Sequence, residues 1–459
     1  MPTVPRPALL APLALAMMAS AVSCGGYLNL APQEESLEEI GRISGEVHVP
    51  AWSGAVLWVA LLRVPHAGAG LDRVVDYYRL ARPGPYFFYA APGRYRVVAV
   101  EDPDRDGELE PGERLGSHGR FAILTIERGQ HLEGIDLTVV NADPADLPPH
   151  DPGIVERRRA VGDIAALDEE RFAAEAAHDG VYDVFRFIDE RRAAGIFFLE
   201  PYDPAKTPVL FVHGFAGFAQ QFGPLVEALD RERFQPWVFQ YPSGLRLGFV
   251  APYLVRDLEE LRVSHGFSGL CLVAHSMGGL LSRHALRLHA FDRGERKPYV
   301  PLFVSIASPF AGVRSAGLGV HASPNVVPAW LDLDPHGEFV RTLYDAPLHP
   351  GVDHGLIWAH GPGGLGSDGV ADLMSQLRPA AVEEARFTWG TVASHTGVLD
   401  DAATTATVRG WLEHCRERIA ALDPPGAPSP AAASAPASAS APAAARASGS
   451  PMSSVAGGP

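Results

Sequence analysis

The chain contains a serine, an aspartate and a histidine that together could carry out nucleophilic acyl transfer, and they occur in that order. Ser276 lies in "AHSMGG", Asp368 in "GLGSDGV" and His395 in "ASHTGVL". A serine hydroxyl is a weak nucleophile until a histidine removes its proton, and that histidine needs a carboxylate to orient it. The three types therefore predict attack of Ser276 on a carbonyl carbon, with His395 as the base and Asp368 as its orienting acid.

The residues around Ser276 predict a sharp turn from a strand into a helix. Residues 270–273 are a short apolar run of the kind that a strand buried on both faces requires, and helical apolar spacing follows the serine. Such a turn needs small residues two positions before and two after the nucleophile, and Ala274 and Gly278 stand there. A strand-to-helix turn of this kind is called a nucleophile elbow, and its first small residue is usually glycine. Here that residue is Ala274, which adds only a methyl group.

The acid and the base each follow a predicted strand. Asp368 lies in a glycine-rich loop beyond "GLIWAHG", and His395 comes directly after "RFTWGTV". From the carboxyl ends of neighbouring parallel strands the two side chains can meet over the sheet edge. Among the competing acids, Asp353 precedes its strand, and the others lie in a presumed insert or helix: Asp332, Asp334 and Asp372. Among the competing histidines, His284 and His289 lie on the helix after the serine, and His360 precedes the acid.

A tetrahedral intermediate also needs two donors for its oxyanion. The backbone N–H of Met277, at the start of the predicted helix, supplies one. The loop in "VLFVHGFAGF" is predicted to supply the other through the amide of Phe215, with His213 and Gly214 shaping the turn.

Together, "HGF", "AHSMGG", "SDGV" and "SHTGVL" resemble the α/β-hydrolase superfamily, in its lipase-like and esterase-like branch, which includes the GPI-inositol-deacylase-like group. The resemblance covers residues 195–421. It implies a triad of Ser276, Asp368 and His395 that hydrolyses carboxylic esters through an acyl-serine, with no cofactor. Thioesterases, amidases and acyltransferases share this triad, so the reaction subclass stays open.

Hydrophobic periodicity predicts an N-terminal β domain followed by an α/β domain. Residues 42–140 predict a small antiparallel β-sandwich, which loosely resembles transthyretin-like or carboxypeptidase-regulatory-like domains. Residues 141–194 are expected to be a linker and bridging helices. Strands and helices alternate over residues 195–421, which predicts a mostly parallel, doubly wound sheet. Residues 423–459, rich in Ala, Pro and Ser, cannot bury a core and are expected to be disordered.

An apolar segment, residues 310–350, interrupts this alternation and is named the cap segment below. A cap over an acyl pocket would favour a lipid or fatty-acyl ester as substrate. A purely structural insert remains the alternative.

The stretch "DPDRDGELEPGE" has the spacing of a calcium-binding loop. Hard oxygen ligands would come from Asp102, Asp104, Asp106, the carbonyl of Glu108 and Glu113. The alternative is an acidic hairpin loop without a metal. A calcium-stabilised binding lipoprotein with a vestigial hydrolase domain is accordingly the competing function class.

The N-terminus predicts export. Residues 1–23 read as a signal peptide, and "AVSC" resembles a lipobox that would lipidate Cys24 and anchor the protein to a bacterial envelope membrane. Cleavage after "ASA" would instead release a soluble periplasmic or secreted protein.

A formal net charge of −16 argues against nucleic-acid partners. Cys271 and Cys415 are expected to be buried free thiols, because nothing in the sequence places them together.

Overall fold

The computed structural model describes residues 38–65, 70–104, 113–141, 147–151, 159–288, 298–361 and 366–421. The predicted signal peptide, Cys24, Asp106, Glu108 and the predicted disordered tail lie outside the described residues. Among the described helices, none is both long and apolar enough to cross a membrane.

The first part of the chain forms one ten-stranded sheet of order β10-β3-β2-β5-β6-β9-β1-β4, with β7 beside β5 and β8 beside β1. Its strands are β1 (Gly41–His48), β2 (Val56–Arg63), β3 (Asp72–Leu80), β4 (Gly84–Ala90), β5 (Gly93–Asp102), β6 (Arg114–Ser117), β7 (Leu124–Ile126), β8 (His131–Leu132), β9 (Leu137–Asn141) and β10 (His150–Asp151). Most neighbours are antiparallel, but β1 runs parallel to β8 and β9, and β10 runs parallel to β3. The pairing is therefore mixed where the sequence predicted it to be antiparallel.

The second sheet has eight strands in the order β11-β12-β14-β13-β15-β16-β17-β18. Its strands are β11 (Ala160–Ile164), β12 (Gly195–Phe198), β13 (Thr207–Val212), β14 (Phe234–Gln240), β15 (Cys271–His275), β16 (Leu302–Ile306), β17 (Asp353–His360) and β18 (Ala385–Val392). Every pair is parallel except β12 with β14. All residues of β15 and β16 are buried, because helices cover both faces of the central strands.

Most of the helices lie between strands of this sheet, and the last one follows the final strand. They are α1 (Ala174–Tyr182), α2 (Gly223–Glu227), α3 (Leu247–His265), α4 (Met277–Arg287), α5 (Arg314–Ala322), α6 (Pro328–Leu333), α7 (Glu338–Thr342), α8 (Leu373–Gln376), α9 (Pro379–Glu384) and α10 (Ala402–Ala420). Short 3₁₀ turns span Glu170–Phe172, Ala219–Phe222 and Gly397–Leu399, and Arg186–Glu190 is a π-helical turn.

The bridging segment contains a strand that the sequence analysis assigned to helix. Residues of β11 pair in parallel with β12, so the second sheet begins before residue 195. The strand "AVGDI" is short and contains a glycine, so its pattern carries little strand signal. Pairing with a neighbouring strand decides its conformation.

A disulfide joins Cys271 to Cys415, with a Cα–Cα distance of 6.3 Å. The expectation of two free thiols is therefore wrong. Cys271 opens β15, and Cys415 lies on the face of α10 that packs into the core beneath it. The sequence could not show this, because the pairing depends on how a helix 144 residues further along the chain docks on the sheet.

Helix α3 joins the two sheets. Arg256 on α3 pairs with Asp76 on β3 at 3.2 Å, and Arg159 reaches both Asp76 and Asp257. The ring of Tyr253 packs beside those of Phe87 and Tyr89 from β4.

The cap segment folds as α5, α6 and α7, and many of its apolar side chains pack into the main core, although Leu318 is exposed. Val327 and Leu343 are buried in that core, and Trp330 and Tyr344 pack against it. Arg283 from α4 donates to the carbonyl of Leu343 and, at 3.1 Å, to that of Ala346. These contacts favour the structural-insert interpretation of the cap segment.

Candidate active site

The carboxyl ends of four parallel strands bring the predicted site together. Strands β13, β15, β17 and β18 run in the same direction, so the loops that follow them share one edge of the sheet. Ser276 follows β15 directly, and Asp368 and His395 follow β17 and β18. This is the edge at which open α/β sheets bind ligands.

Ser276 occupies a strained turn. Its φ of 54° and ψ of −128° lie far from the helical values that begin at Met277. The turn is tight enough that a Cβ on Gly278 would lie 2.4 Å from the carbonyl oxygen of His213. A Cβ on Gly214 would lie 2.7 Å from the Cβ of Ser276. The small residues thus allow the backbone of the neighbouring loop to approach the nucleophile.

One hydrogen-bonded chain joins the three predicted side chains. The hydroxyl of Ser276 lies 2.8 Å from Nε2 of His395, and Nδ1 of His395 lies 2.7 Å from Oδ2 of Asp368. Asp368 is 3% exposed and Ser276 is 9% exposed. With Nδ1 donating to the carboxylate, Nε2 is the atom that can accept the serine proton.

Several donors fix the carboxylate of Asp368. Its Oδ1 accepts from the amides of Val370 at 2.9 Å and Ala371 at 2.7 Å. The side-chain amide of Gln376 donates to Oδ2 at 3.1 Å. Gln376 could not be predicted from the sequence, because a glutamine on a short helix carries no motif of its own.

The backbone amides of Phe215 and Met277, both close to Ser276 in the fold, have no acceptor in the described part of the chain. Met277 is the first residue of α4, and Phe215 lies in the loop of residues 213–217, named the oxyanion loop below. The next amide, that of Ala216, donates instead to Oγ of Ser243 at 3.0 Å. The amides of Phe215 and Met277 are thus available as donors to an oxyanion.

His213 is a neutral structural residue of the oxyanion loop. Burial lowers its pKa to about 4. Its Nδ1 lies 2.9 Å from the carbonyl oxygen of Gly214, to which it donates, and Nε2 accepts the amide proton of Tyr241 at 3.2 Å. Both ring nitrogens are therefore occupied in the neutral form.

The competing acids have other partners. Asp353 pairs with Arg386 at 3.3 Å, Asp372 with Arg314, and Asp332 with Arg246 at 2.7 Å. Of the competing histidines, His284 packs against Phe339 of the cap segment, while His289 lies outside the described residues.

The predicted calcium loop is described in part. Oxygen atoms of Asp102, Asp104 and Glu113 all lie within 4.8 Å of one another, and carboxylates are the ligands that calcium prefers. Oδ2 of Asp102 also accepts from the indole of Trp58 at 2.6 Å. These three residues fit a cation, and they lie at the ends of β5 and β6 of the first sheet, whereas Ser276 follows β15 of the second sheet.

The strand order, the elbow and the hydrogen-bonded triad together have the arrangement of the α/β-hydrolase fold. The family described as "Putative serine esterase (DUF676)" matches residues 250–333, which include Ser276. A comparison with curated proteins finds no match.

Solved structures with a similar chain path include several lipases and esterases. The mature lipase BlEst2 of Bacillus licheniformis is 20% identical, with 48% of this chain and 97% of that chain covered and a TM-score of 0.38. Lipase B of Aspergillus fumigatus is also 20% identical, with 50% and 60% covered and a TM-score of 0.37. Est1E of Butyrivibrio proteoclasticus is 13% identical, with 49% and 93% covered and a TM-score of 0.34. Similarity at this level identifies no substrate.

Proposed function

We propose that the protein is an exported serine hydrolase that cleaves carboxylic esters through an acyl-serine intermediate. The observation that carries this proposal is the unbroken contact chain from Ser276 through His395 to Asp368, with two unengaged amides beside the serine. The match of residues 250–333 to a serine esterase family supports the same class.

The reaction follows from this geometry. Nε2 of His395 takes the proton of Ser276 as Oγ attacks the ester carbonyl carbon, and the amides of Phe215 and Met277 stabilise the oxyanion. Collapse of the tetrahedral intermediate breaks the ester C–O bond, and the departing alcohol takes the proton from His395. Water then repeats both steps on the acyl-serine, which releases the acid and restores the hydroxyl.

Substrate profiling tests the reaction subclass. Wild type and Ser276→Ala are compared on matched p-nitrophenyl esters, thioesters and anilides with acyl chains of two to sixteen carbons. We expect esters to be cleaved fastest and the variant to lose activity by about 10⁴-fold or more. Equal activity in Ser276→Ala would contradict the mechanism, and a preference for thioesters or anilides would move the protein to another subclass.

We further propose that Cys24 is lipidated and anchors the protein to the bacterial envelope, with the first sheet as an accessory β-sandwich domain. The Cys271–Cys415 disulfide supports export, because structural disulfides persist mainly in oxidising compartments. Metabolic labelling with an alkyne fatty acid should mark the wild type and not Cys24→Ala. Labelling of both proteins, or of neither, would contradict lipidation at this residue.

A further inference from the structure

We propose that Ser243 is a positioning residue that holds the oxyanion loop in the orientation needed for catalysis. This inference rests on the proposed function, because it concerns the donors of the same site. Ser243 is 1% exposed, and its Oγ accepts the amide proton of Ala216 at 3.0 Å. It therefore acts on the reaction through the loop and not through contact with substrate.

The bond to Ser243 engages the amide of Ala216 and leaves the preceding amide, that of Phe215, for substrate. Ala216 has a φ of 50°, a left-handed conformation that costs a non-glycine residue on the order of 1 kcal/mol. In this conformation its N–H is turned to Ser243, while the preceding N–H, that of Phe215, has no acceptor in the described chain. Without the acceptor at Ser243, the strained turn loses the contact that offsets its cost.

A second attachment comes from the same segment, two residues earlier. The hydroxyl of Tyr241 donates to the carbonyl of His213 at 2.8 Å, and the two rings stack with centroids 4.3 Å apart. The oxyanion loop is thus held at its first residue by Tyr241 and at Ala216 by Ser243.

The segment that carries both residues is itself fixed. The amide of Gly244 donates to the carbonyl of Gly180 at 3.0 Å, and the carbonyl of Gly244 accepts from Ala329 of α6 at 2.9 Å. A Cβ on Gly244 would lie 2.4 Å from the carbonyl oxygen of Val181, so helix α1 packs directly against the backbone here. Ser243 therefore presents its oxygen from a rigid support.

A misplaced oxyanion donor reduces the stabilisation of the transition state more than it reduces binding of the ester. Its loss should therefore lower kcat more than it changes KM. Loss of an oxyanion donor costs about 10²–10³ in kcat, and its displacement should cost less. For Ser243→Ala on p-nitrophenyl butyrate we expect kcat to fall about tenfold and KM to change less than about twofold. Affinity for an alkyl boronic acid, which forms a tetrahedral adduct, should fall by the same factor as kcat.

The matched control is Ser264→Ala. The hydroxyl of Ser264 also accepts from a neighbour, Arg79, but lies on α3 where it meets the first sheet. Its kcat should stay within about twofold of wild type, because it touches no part of the oxyanion loop. If Ser243→Ala does not fold, Ser243→Cys decides, since it keeps a side chain of similar shape and replaces the accepting oxygen with sulfur, a weak acceptor. We expect a several-fold lower kcat at unchanged KM.

Titration with a fluorophosphonate distinguishes a failure of the proposed hydrolase function from a failure of the role proposed for Ser243. A wild-type protein that does not react would overturn the proposed function itself. A reactive wild type together with unchanged kcat in Ser243→Ala, or in Ser243→Cys where the first variant is unfolded, would overturn only the role of Ser243. A fall in kcat of equal size in Ser264→Ala would also overturn it, because the effect would then be general.

Discussion

The imidazole of His275 donates from Nε2 to the backbone carbonyl of His395 at 2.8 Å. His275, the residue before Ser276, thus holds the backbone of His395, while the ring of His395 contacts Ser276. Burial, and then the nearby His395, lowers the pKa of His275 to about 3. The ring is therefore neutral at physiological pH, and its proton must lie on Nε2 because a carbonyl oxygen only accepts.

Acid should destabilise the fold through this residue. A histidine with a pKa of about 3 when folded and about 6.5 when unfolded contributes its full stability above pH 6.5 and loses it as the pH falls toward 3. Between pH 7 and pH 5 we expect His275 alone to account for about 2 kcal/mol of lost unfolding free energy.

The comparison with His275→Gln isolates that contribution. Burial raises the pKa of Asp257 and of Asp332, so these carboxyl groups oppose the trend in both proteins. Glutamine keeps an N–H donor for His395 but does not titrate. Urea unfolding at the two pH values should give a smaller loss in the variant, and an equal loss in both proteins would contradict the assignment.

Two helical glycines form a matched pair. Gly278→Ala would place a Cβ 2.4 Å from the backbone oxygen of His213, whereas a Cβ on Gly410 of α10 meets nothing within 4 Å. We expect Gly278→Ala to lose at least tenfold in kcat or to fold poorly, because backbone has to move. Gly410→Ala should stabilise the protein by up to about 1 kcal/mol. Comparable activity and melting temperature in both variants would contradict the close packing at the elbow.

The disulfide should contribute strongly to stability. It closes a loop of 144 residues that contains Ser276, Asp368 and His395. Loop-closure entropy predicts about 4–5 kcal/mol for a loop of this size. We expect Cys271→Ala with Cys415→Ala to melt well below the oxidised wild type, and reductant to lower the melting temperature of the wild type alone. An effect of reductant on the double variant would point to another cause.

Calcium binding is tested on the full chain. If Asp102, Asp104 and Glu113 hold the cation, calcium should raise the melting temperature of the wild type and give a calorimetric binding signal, and Asp104→Asn should weaken both. Asp168→Asn, which changes a carboxylate outside this cluster, serves as the control. No signal with wild type would favour the acidic-hairpin interpretation.

Local sequence could locate the three side chains of the candidate site because each follows a strongly patterned strand. Parallel strands that all point the same way bring such residues to one edge, so chain order and strand ends were enough to group Ser276, Asp368 and His395. The most informative pattern was that of β15, because an unbroken apolar run followed by small residues predicts a strand that turns sharply into a helix.

Contacts between segments that are far apart in the sequence could not be predicted from local sequence patterns. The Cys271–Cys415 pair depends on the docking of α10, and β11 depends on its neighbour β12. Ser243, Gln376 and His275 support the site through single hydrogen bonds that leave no periodic or spacing signal. Such residues are visible only once the backbone is placed.

The most direct test of the central claim is reaction of the purified chain from Gly25 onward with a fluorophosphonate, followed by mass spectrometry of the peptide that contains residue 276. We expect one equivalent of label on Ser276 in wild type and none in Ser276→Ala. Folded wild-type protein that takes up no label, or label on another residue that persists in Ser276→Ala, would contradict an activated serine at this position.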